Sequence, residues 1–348
     1  MKRILFITTR PELGGAQKWT HDQTKLLEGK FDLYFSTGEE GWLTEKLKLS
    51  CKDMLIDRKL YSYTSISYLF KLWMFVKKNR IDIVVASSAN AGVYARLLKI
   101  FLPKLSIVYV SHGWSAIYRG NIVFQAVEKM LSYLSTAILV ISKSDYNKAV
   151  DILKIHPEKV MLIENAIYPY KNVVTLARQR DLKTITIVMV ARFEYPKRQD
   201  LLIQAAKRLP DIQFKLVGEG KNLDSCKKEA PSNVHFLEAT TNIEEVLRDS
   251  DIFALLSESE GMPISVLEAL ACEKPILLSQ ISSMETFIRD NGLLVKNDVN
   301  EVIVAIKRFR ELDLDAMGKA SSEIFNDRFN LLNSKKRYIH FYESLGRE

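Results

Sequence analysis

The stretch Ser257-Glu258-Ser259-Glu260-Gly261-Met262-Pro263-Ile264-Ser265-Val266-Leu267-Glu268-Ala269-Leu270-Ala271 joins two kinds of periodicity and carries two spaced carboxylates. It follows the apolar run 252–256 (IFALL), whose length suits a buried strand better than a helix. Pro263 suits the first turn of a helix, where its missing N–H would have had no partner anyway. Ile264, Leu267, Leu270 and Ala271 then recur at helical spacing and form an apolar face. On a wheel of about 100° per residue, Glu268 falls beside Ile264 at the margin of that face, where a carboxylate is partly desolvated and needs a partner. Glu260 sits in the preceding loop, so the two carboxylates flank a helix N-terminus. Carboxylates accept well from vicinal hydroxyls, which makes ribose and hexose natural partners, with the nearby amides left for phosphate. A solvated helix start is the plain alternative.

The same strand–loop–helix step repeats in both directions. Strands are expected at 3–8, 31–35, 53–56, 82–86, 106–110, 137–141 and 160–163, and a second series at 185–190, 212–217, 234–236, 252–256, 275–278 and 293–295. Apolar, β-branched runs alternating with longer amphipathic stretches mark an α/β protein with doubly wound parallel sheets. A length of 348 residues exceeds the roughly 100–200 of one domain, in keeping with two Rossmann-like domains. The expected division is 1–168 and 169–329, with a polar linker running from Asn165-Ala166 to Thr184. The stretch 319–345 has helical periodicity, with Phe329, Tyr338, Phe341 and Tyr342 on its apolar side, and 330–348 is expected to rejoin the first domain.

In open parallel sheets ligands gather at the carboxyl ends of strands. After the first strand, Gly14-Gly15 precede a helix expected from about Ala16; without Cβ atoms the pair lets backbone amides approach a phosphate, which the helix dipole also favours. A plain strand-to-helix turn is equally compatible. His112 in Ser111-His112-Gly113-Trp114 stands at another strand end, as a catalytic group or a structural one, and Trp114 is free to stack on a sugar or simply to pack. Arg192 and Lys197 share one short loop and could clamp a diphosphate, the arginine as a bidentate fork and the lysine as a point charge. Gly218-Glu219-Gly220 makes a further glycine turn that permits close approach of a ligand.

Composition narrows the class. Hydrophobic residues make up 47% and charged residues 26%, ordinary values for a globular chain. Three cysteines without C-x-x-C spacing argue against a disulfide framework or a zinc site and favour a reducing cytoplasm. Met1-Lys2-Arg3 precedes an apolar run too short for a signal peptide, so it reads as the first strand. No apolar stretch approaches the roughly 18 residues of a membrane span. The net charge of +8 is uneven: residues 1–168 hold 24 Lys and Arg against 15 Asp and Glu, whereas 169–348 hold 26 against 27. The first half therefore suits a polyanionic partner, such as an anionic membrane surface. No recognition motif accompanies the charge, so nucleic acid is not expected as a partner. Asp249-Ser250-Asp251 and Asp313-Leu314-Asp315 have a D-x-D spelling, but one leads into a strand and the other lies in a peripheral helical region, so no metal is expected.

Taken in order, Gly14-Gly15, His112-Gly113, Arg192 with Lys197, Gly218-Glu219-Gly220 and Glu260-Gly261-Met262-Pro263 through Glu268 resemble the retaining glycosyltransferases of the GT-B fold that carry an E-x7-E signature, the group 1 or family 4 type. The resemblance covers nearly the whole chain. It implies two Rossmann-like domains facing each other across a cleft and a nucleotide-sugar donor that is a substrate, with no cofactor or metal. Gly15, beside Gly14, would give an amide to the donor phosphate, Arg192 and Lys197 would hold the diphosphate, and Gly218 would line the donor site. Glu260 would bind the transferred sugar with backbone amides of the 261–263 loop, those of Gly261 and Met262, beside Pro263 and the helix start at Ile264, while Glu268 would bind ribose. His112 would sit near the anomeric centre. The resemblance also implies front-face attack with retention, transfer of a hexose or N-acetylhexosamine, and UDP as the default nucleotide. Two positions depart from the pattern: Asn165-Ala166 stands where Asn-Gly is common, and Glu238 replaces a frequent glycine near the base-binding edge.

Residues 64–78 and 94–105 form apolar helices with narrow basic stripes. Together with the basic first half they suggest a peripheral position on the inner face of the plasma membrane and a saccharide or lipid-linked saccharide acceptor for polysaccharide synthesis. A nucleotide-sugar epimerase or hydrolase of the same fold, and a non-catalytic sugar-nucleotide-binding protein, are the rival readings.

Overall fold

The computed structural model describes residues 1–114, 121–170, 185–240 and 242–346. The expected linker segment 171–184 lies outside them. The chain divides into two compact units, Met1–Asn165 with Leu331–Glu348, and Ala166–Asn330.

The first unit holds a seven-stranded parallel sheet in the order β3-β2-β1-β4-β5-β6-β7, made of β1 (Arg3–Ile7), β2 (Asp32–Thr37), β3 (Cys51–Ile56), β4 (Ile83–Ala86), β5 (Ser106–Ser111), β6 (Ala137–Val140) and β7 (Val160–Leu162). The second holds a six-stranded parallel sheet in the order β10-β9-β8-β11-β12-β13, made of β8 (Thr186–Val190), β9 (Gln213–Val217), β10 (Val234–Leu237), β11 (Ile252–Leu255), β12 (Ile276–Ser279) and β13 (Gly292–Val295). Each expected strand is present within a residue or two of its expected ends. Helices cover both faces, so the central strands are buried on both sides, which is why Ile83–Ala86 and Ile252–Leu255 are unbroken apolar runs and do not alternate. Each fully buried large apolar side chain, such as Phe6 or Phe253, contributes about 1.5–3 kcal/mol.

Two helices differ from the expectation. The segment expected at 94–105 is the helix Ala89–Phe101, which ends just ahead of Pro103. The 319–345 stretch is two helices, Leu314–Ile324 and Leu331–Ser344, parted by a wide turn over Phe325–Phe329. The Leu331–Ser344 helix belongs to the first unit: Tyr342 packs edge-on against Phe6 at 6.5 Å, and Lys2 donates to the Glu343 carbonyl at 2.7 Å. The helix Ile66–Lys78 is capped by Ser65, whose side chain accepts from the Tyr68 amide.

Candidate active site

In the second unit the strand order reverses between β8 and β11, so the loops leaving these neighbours open side by side at a topological switch point. They are stitched together. An isolated bridge joins Lys197 to Ser257, the Arg198 amide donates to the Leu256 carbonyl at 2.9 Å, and the Glu258 amide donates to the Pro196 carbonyl at 2.9 Å. This backbone seam carries the Lys197 ammonium onto the Glu260 carboxylate, to which it donates a hydrogen bond. Their side chains are only 16% and 10% exposed, so each is the other's main charge partner in a place mostly withdrawn from water.

The helix Ile264–Ala271 starts directly after Pro263, and no side chain caps it. Its first amides therefore point into the same loop region, a ready place for an anion. Glu268 is buried on this helix. Burial pushes the Tyr170 hydroxyl well above the usual phenol range, and the Glu268 carboxylate, on which that hydroxyl donates, adds to the shift. Met262 is buried, while Gly261, Pro263 and Ile264 are half-buried around the loop. Arg192 stands apart: its guanidinium is 72% exposed and pairs with Glu194 at 2.6 Å. Its own carbonyl accepts from the Gln199 side chain, so the backbone of this loop is held even though the Arg192 side chain is not.

Gly218, at φ 143°, brings the turn after β9 against the turn after β8, and a Cβ there would lie 2.3 Å from the Ala191 carbonyl oxygen. The Phe193 amide donates to the Glu219 carbonyl at 2.7 Å across this contact. The glycine turn thus shapes the lysine loop through the backbone. Glu238 is exposed just past β10, the outermost strand.

In the first unit the switch point lies between β1 and β4. Hydroxyls tie the two strand ends together: Thr8 to Ser87 at 2.6 Å and Thr9 to Ser88 at 2.6 Å. Gly14 then precedes the helix Gly15–Leu27, which no side chain caps, and Gly15 is exposed there. His112 follows β5, one strand beyond the switch point, with its ring edge-on to Trp19 at 5.3 Å. Its Nε2 is buried and without a partner among the described residues. Burial lowers its pKa to about 4, so the imidazole is neutral in ordinary buffers and not a fixed cation. Trp114 packs: it is buried and lies nearly parallel to Tyr109, at 6.4 Å.

Both D-x-D spellings have structural work. Asp251 accepts from the Thr186 amide, and Asp313 caps the Leu314–Ile324 helix by accepting from the Asp315 and Ala316 amides. Among the described residues, no three His, Cys, Asp or Glu side chains gather as a metal site.

The sequence pattern described as "Glycosyl transferases group 1" matches residues 158–321, and "Glycosyltransferase Family 4" matches residues 14–169. The chain is 36% identical over 333 residues to the O-antigen biosynthesis glycosyltransferase WbnH of Escherichia coli, a match covering 92% of this chain and 95% of that one. This chain belongs to the glycosyltransferase group 1 family. A second Escherichia coli relative, the UDP-Gal:alpha-D-GlcNAc-diphosphoundecaprenol alpha-1,3-galactosyltransferase, is 24% identical, with 98% of this chain and 96% of the relative covered. In structure the chain is similar to Anabaena Alr3699/HepE, solved in complex with UDP and glucose, with a TM-score of 0.82 at 17% identity over 99% of this chain and 100% of that one. The two Rossmann-like units of this glycosyltransferase are those of the GT-B fold.

Several positioning residues of this group 1 glycosyltransferase are not evident from its motif. Ser257 donates its amide to the Ser279 hydroxyl at 2.8 Å, Ser279 donates to Asn297, and Asn297 donates back to the Ser257 carbonyl at 3.0 Å. This closed ring fixes the start of the Glu260 loop from the ends of β12 and β13. Its one sequence signal is position, since Ser279 and Asn297 both stand at strand ends. Tyr170 carries no such signal, because it lies far from Glu268 along the chain.

Proposed function

We propose that this glycosyltransferase is a retaining enzyme that moves a hexose or N-acetylhexosamine from a UDP-sugar to a saccharide or lipid-linked saccharide acceptor in cell-surface polysaccharide synthesis. The observation that carries the reading is the Lys197–Glu260 pair at the switch point, beside the uncapped start of the helix that holds Glu268. Without donor the two charges satisfy each other. With donor, the ammonium is free to turn to the departing diphosphate and the carboxylate to accept from hydroxyls of the transferred sugar, while Glu268 accepts from ribose. Loss of a nucleoside diphosphate concentrates negative charge, which a fixed cation and helix-terminal amides stabilise in a place from which water is largely withdrawn. Arg192 adds an exposed second cation from the same loop, which would leave Glu194 for the diphosphate. Transfer is proposed to need no divalent metal and no cofactor, with the acceptor hydroxyl attacking the front face as the phosphate leaves. On the first unit, Gly15 offers an amide, and His112 offers a neutral imidazole to a sugar hydroxyl.

The uridine assignment is supported by the UDP bound in the Anabaena protein and the UDP-Gal in the name of the second relative. That relative's diphosphoundecaprenol acceptor and the O-antigen role of WbnH support a lipid-linked acceptor. The surplus of cations in the first half supports a cytoplasmic enzyme seated on the inner face of an anionic membrane. Among the described residues no helix is long and apolar enough to cross it.

A thermal-stability screen against nucleotide sugars tests the donor, because a ligand that binds only the folded chain raises its apparent stability. UDP and one UDP-sugar are expected to stabilise most, and transfer is expected to persist in EDTA. Equal stabilisation by all nucleotides, or release of free or epimerised sugar without an acceptor, would turn the assignment toward the rival enzyme class.

A further inference from the structure

His112 is held by packing. Its Nε2 is buried and finds no hydrogen-bond partner among the described residues, so that atom does not orient the ring. The Trp19 indole does: the two rings meet edge-on, with centroids 5.3 Å apart and planes at 74°. Ring edges carry positive and ring faces negative charge density, which favours this crossed arrangement over others. Trp19 belongs to the helix Gly15–Leu27 that leaves β1, whereas His112 follows β5, so the contact joins elements from either side of β4.

Trp19 is itself fixed twice over. The hydroxyl of its neighbour Thr20 stands 3.3 Å from that of Thr8 and 3.2 Å from that of Ser87, which ties the helix to the ends of β1 and β4. The indole is buried and packs edge-on against Phe6 at 6.4 Å. The second support is the Leu331–Ser344 helix, on which the chain returns to the first unit. Tyr338, Phe341 and Tyr342 are buried at helical spacing and give that helix one aromatic face. Tyr342 meets Phe6 and Phe31 at 6.5 and 6.3 Å. Tyr338 reaches Trp19: burial pushes its hydroxyl up to about 12, and the Trp19 and Gln23 side chains beside it pull the other way. Side chains of a close-packed interior keep to single staggered rotamers, so an indole wedged among buried aromatics gives the imidazole a fixed wall.

We propose that Trp19 is a positioning residue that sets how His112 presents its imidazole to a hydroxyl of the transferred sugar, with Tyr338 of the returning helix keeping Trp19 in place. The inference rests on the sugar contact given to His112 above and supplies the reason its ring is aimed. Segments that the chain keeps far apart, around 19, 112 and 338, thereby contribute to one contact. A hydrogen bond made by a ring already oriented loses little freedom on binding, whereas a ring free to turn must first be ordered. Taking the wall away leaves the imidazole chemically unchanged and costs only its aim. The loss therefore falls on the sugar and spares the nucleotide.

The test is the affinity of the full chain, by titration calorimetry, for UDP and for whichever of UDP-glucose, UDP-galactose and UDP-N-acetylgalactosamine raises its Tm most. Trp19→Leu is expected to weaken the UDP-sugar about 10-fold, the worth of one neutral hydrogen bond, and to leave UDP within about 2-fold of wild type. Trp19→Met, whose flexible chain adapts to the space, is expected to act in the same direction and keeps the result readable should leucine disturb folding. Trp19→Phe keeps a ring edge at the position and is expected to restore most of the affinity. In a His112→Ala background Trp19→Leu is expected to add no further loss, because a residue that acts through another then has nothing left to act on. Losses that multiply in the double variant would overturn the proposal, as would a loss shared equally by UDP and the UDP-sugar. So would unchanged sugar affinity in Trp19→Leu and Trp19→Met where His112→Ala is impaired, and each of these results leaves the role of His112 standing. His112→Ala binding the UDP-sugar like wild type would remove that role and this one with it. Wild type binding neither UDP nor a UDP-sugar would instead remove the donor assignment on which both depend.

Discussion

Two ion pairs, one in each unit, use the same functional groups to opposite ends. In the first unit Arg96 donates two hydrogen bonds to Glu128, a third to the Gly92 carbonyl at 2.8 Å, and lays its guanidinium over the Tyr109 ring at 4.2 Å. Neither side chain reaches water in any amount. Gly92 leaves the room for this stack, since a Cβ there would come within 2.6 Å of Tyr109. In the second unit the Lys197–Glu260 pair is held by one hydrogen bond at the edge of two strand-end loops and keeps donor and acceptor capacity to spare. A fully buried bidentate pair, with a third bond to backbone and a ring under its guanidinium, ties helices together. A single-bonded pair at a switch point suits the role proposed for Lys197 and Glu260, in which each turns from its partner to a ligand.

The sharpest way to break this contrast is Arg96→Ala. It strands a buried carboxylate and is expected to cost about 3–5 kcal/mol of stability by denaturant unfolding, whereas a cost under about 1 kcal/mol would erase the distinction. Lys197→Ala should do the reverse. Turnover is expected to fall about 100- to 1,000-fold while stability falls by about 1–3 kcal/mol, less than for Arg96→Ala, read from kcat and Tm on one preparation.

His112 separates the units by pH. Its folded pKa of about 4 lies below the ordinary value of 6.5. Between those values the unfolded chain takes up a proton that the folded chain refuses, so the contribution is full above pH 6.5 and is lost as pH falls toward 4. Wild type is expected to lose about 2–3 kcal/mol more than His112→Gln over that window, and parallel Tm profiles would show that the imidazole is not held neutral. The smallest effect is expected at Glu268, the carboxylate proposed to accept from ribose. Glu268→Gln should weaken donor binding by about 10-fold, near 1.4 kcal/mol, with kcat little changed, and a variant that binds UDP as tightly as wild type would take Glu268 out of the site.

Much of the fold was legible because a strand buried on both faces leaves a plain apolar run, as at Ile83–Ala86 and Ile276–Ser279. Edges were less legible. β3 begins at Cys51, two residues before the expected start, because Lys52 and Asp53 are tolerated on an outer strand and hide its beginning. The helix at Ala89 opens with Ala-Asn-Ala-Gly, small and polar residues that mask its first turn, so periodicity showed only its later part. In the site, Glu260, Lys197 and Glu268 were legible as strand-end or helix-margin residues. Ser279, Asn297 and Tyr170 were not, because their roles depend on what lies opposite them.

By itself the sequence determined the order of strands and helices and the division into two nucleotide-fold units, and it placed candidate polar residues at their strand ends. Those follow from local periodicity and from where a polar side chain can stand beside a buried run. Only the tertiary structure decided which cation meets which carboxylate. Lys197 reaches Glu260 across 63 positions of chain while Arg192, five residues before Lys197, turns outward to Glu194. Spacing along a chain sets which face a residue occupies, but a contact between distant segments exists only once the sheet has brought their loops together.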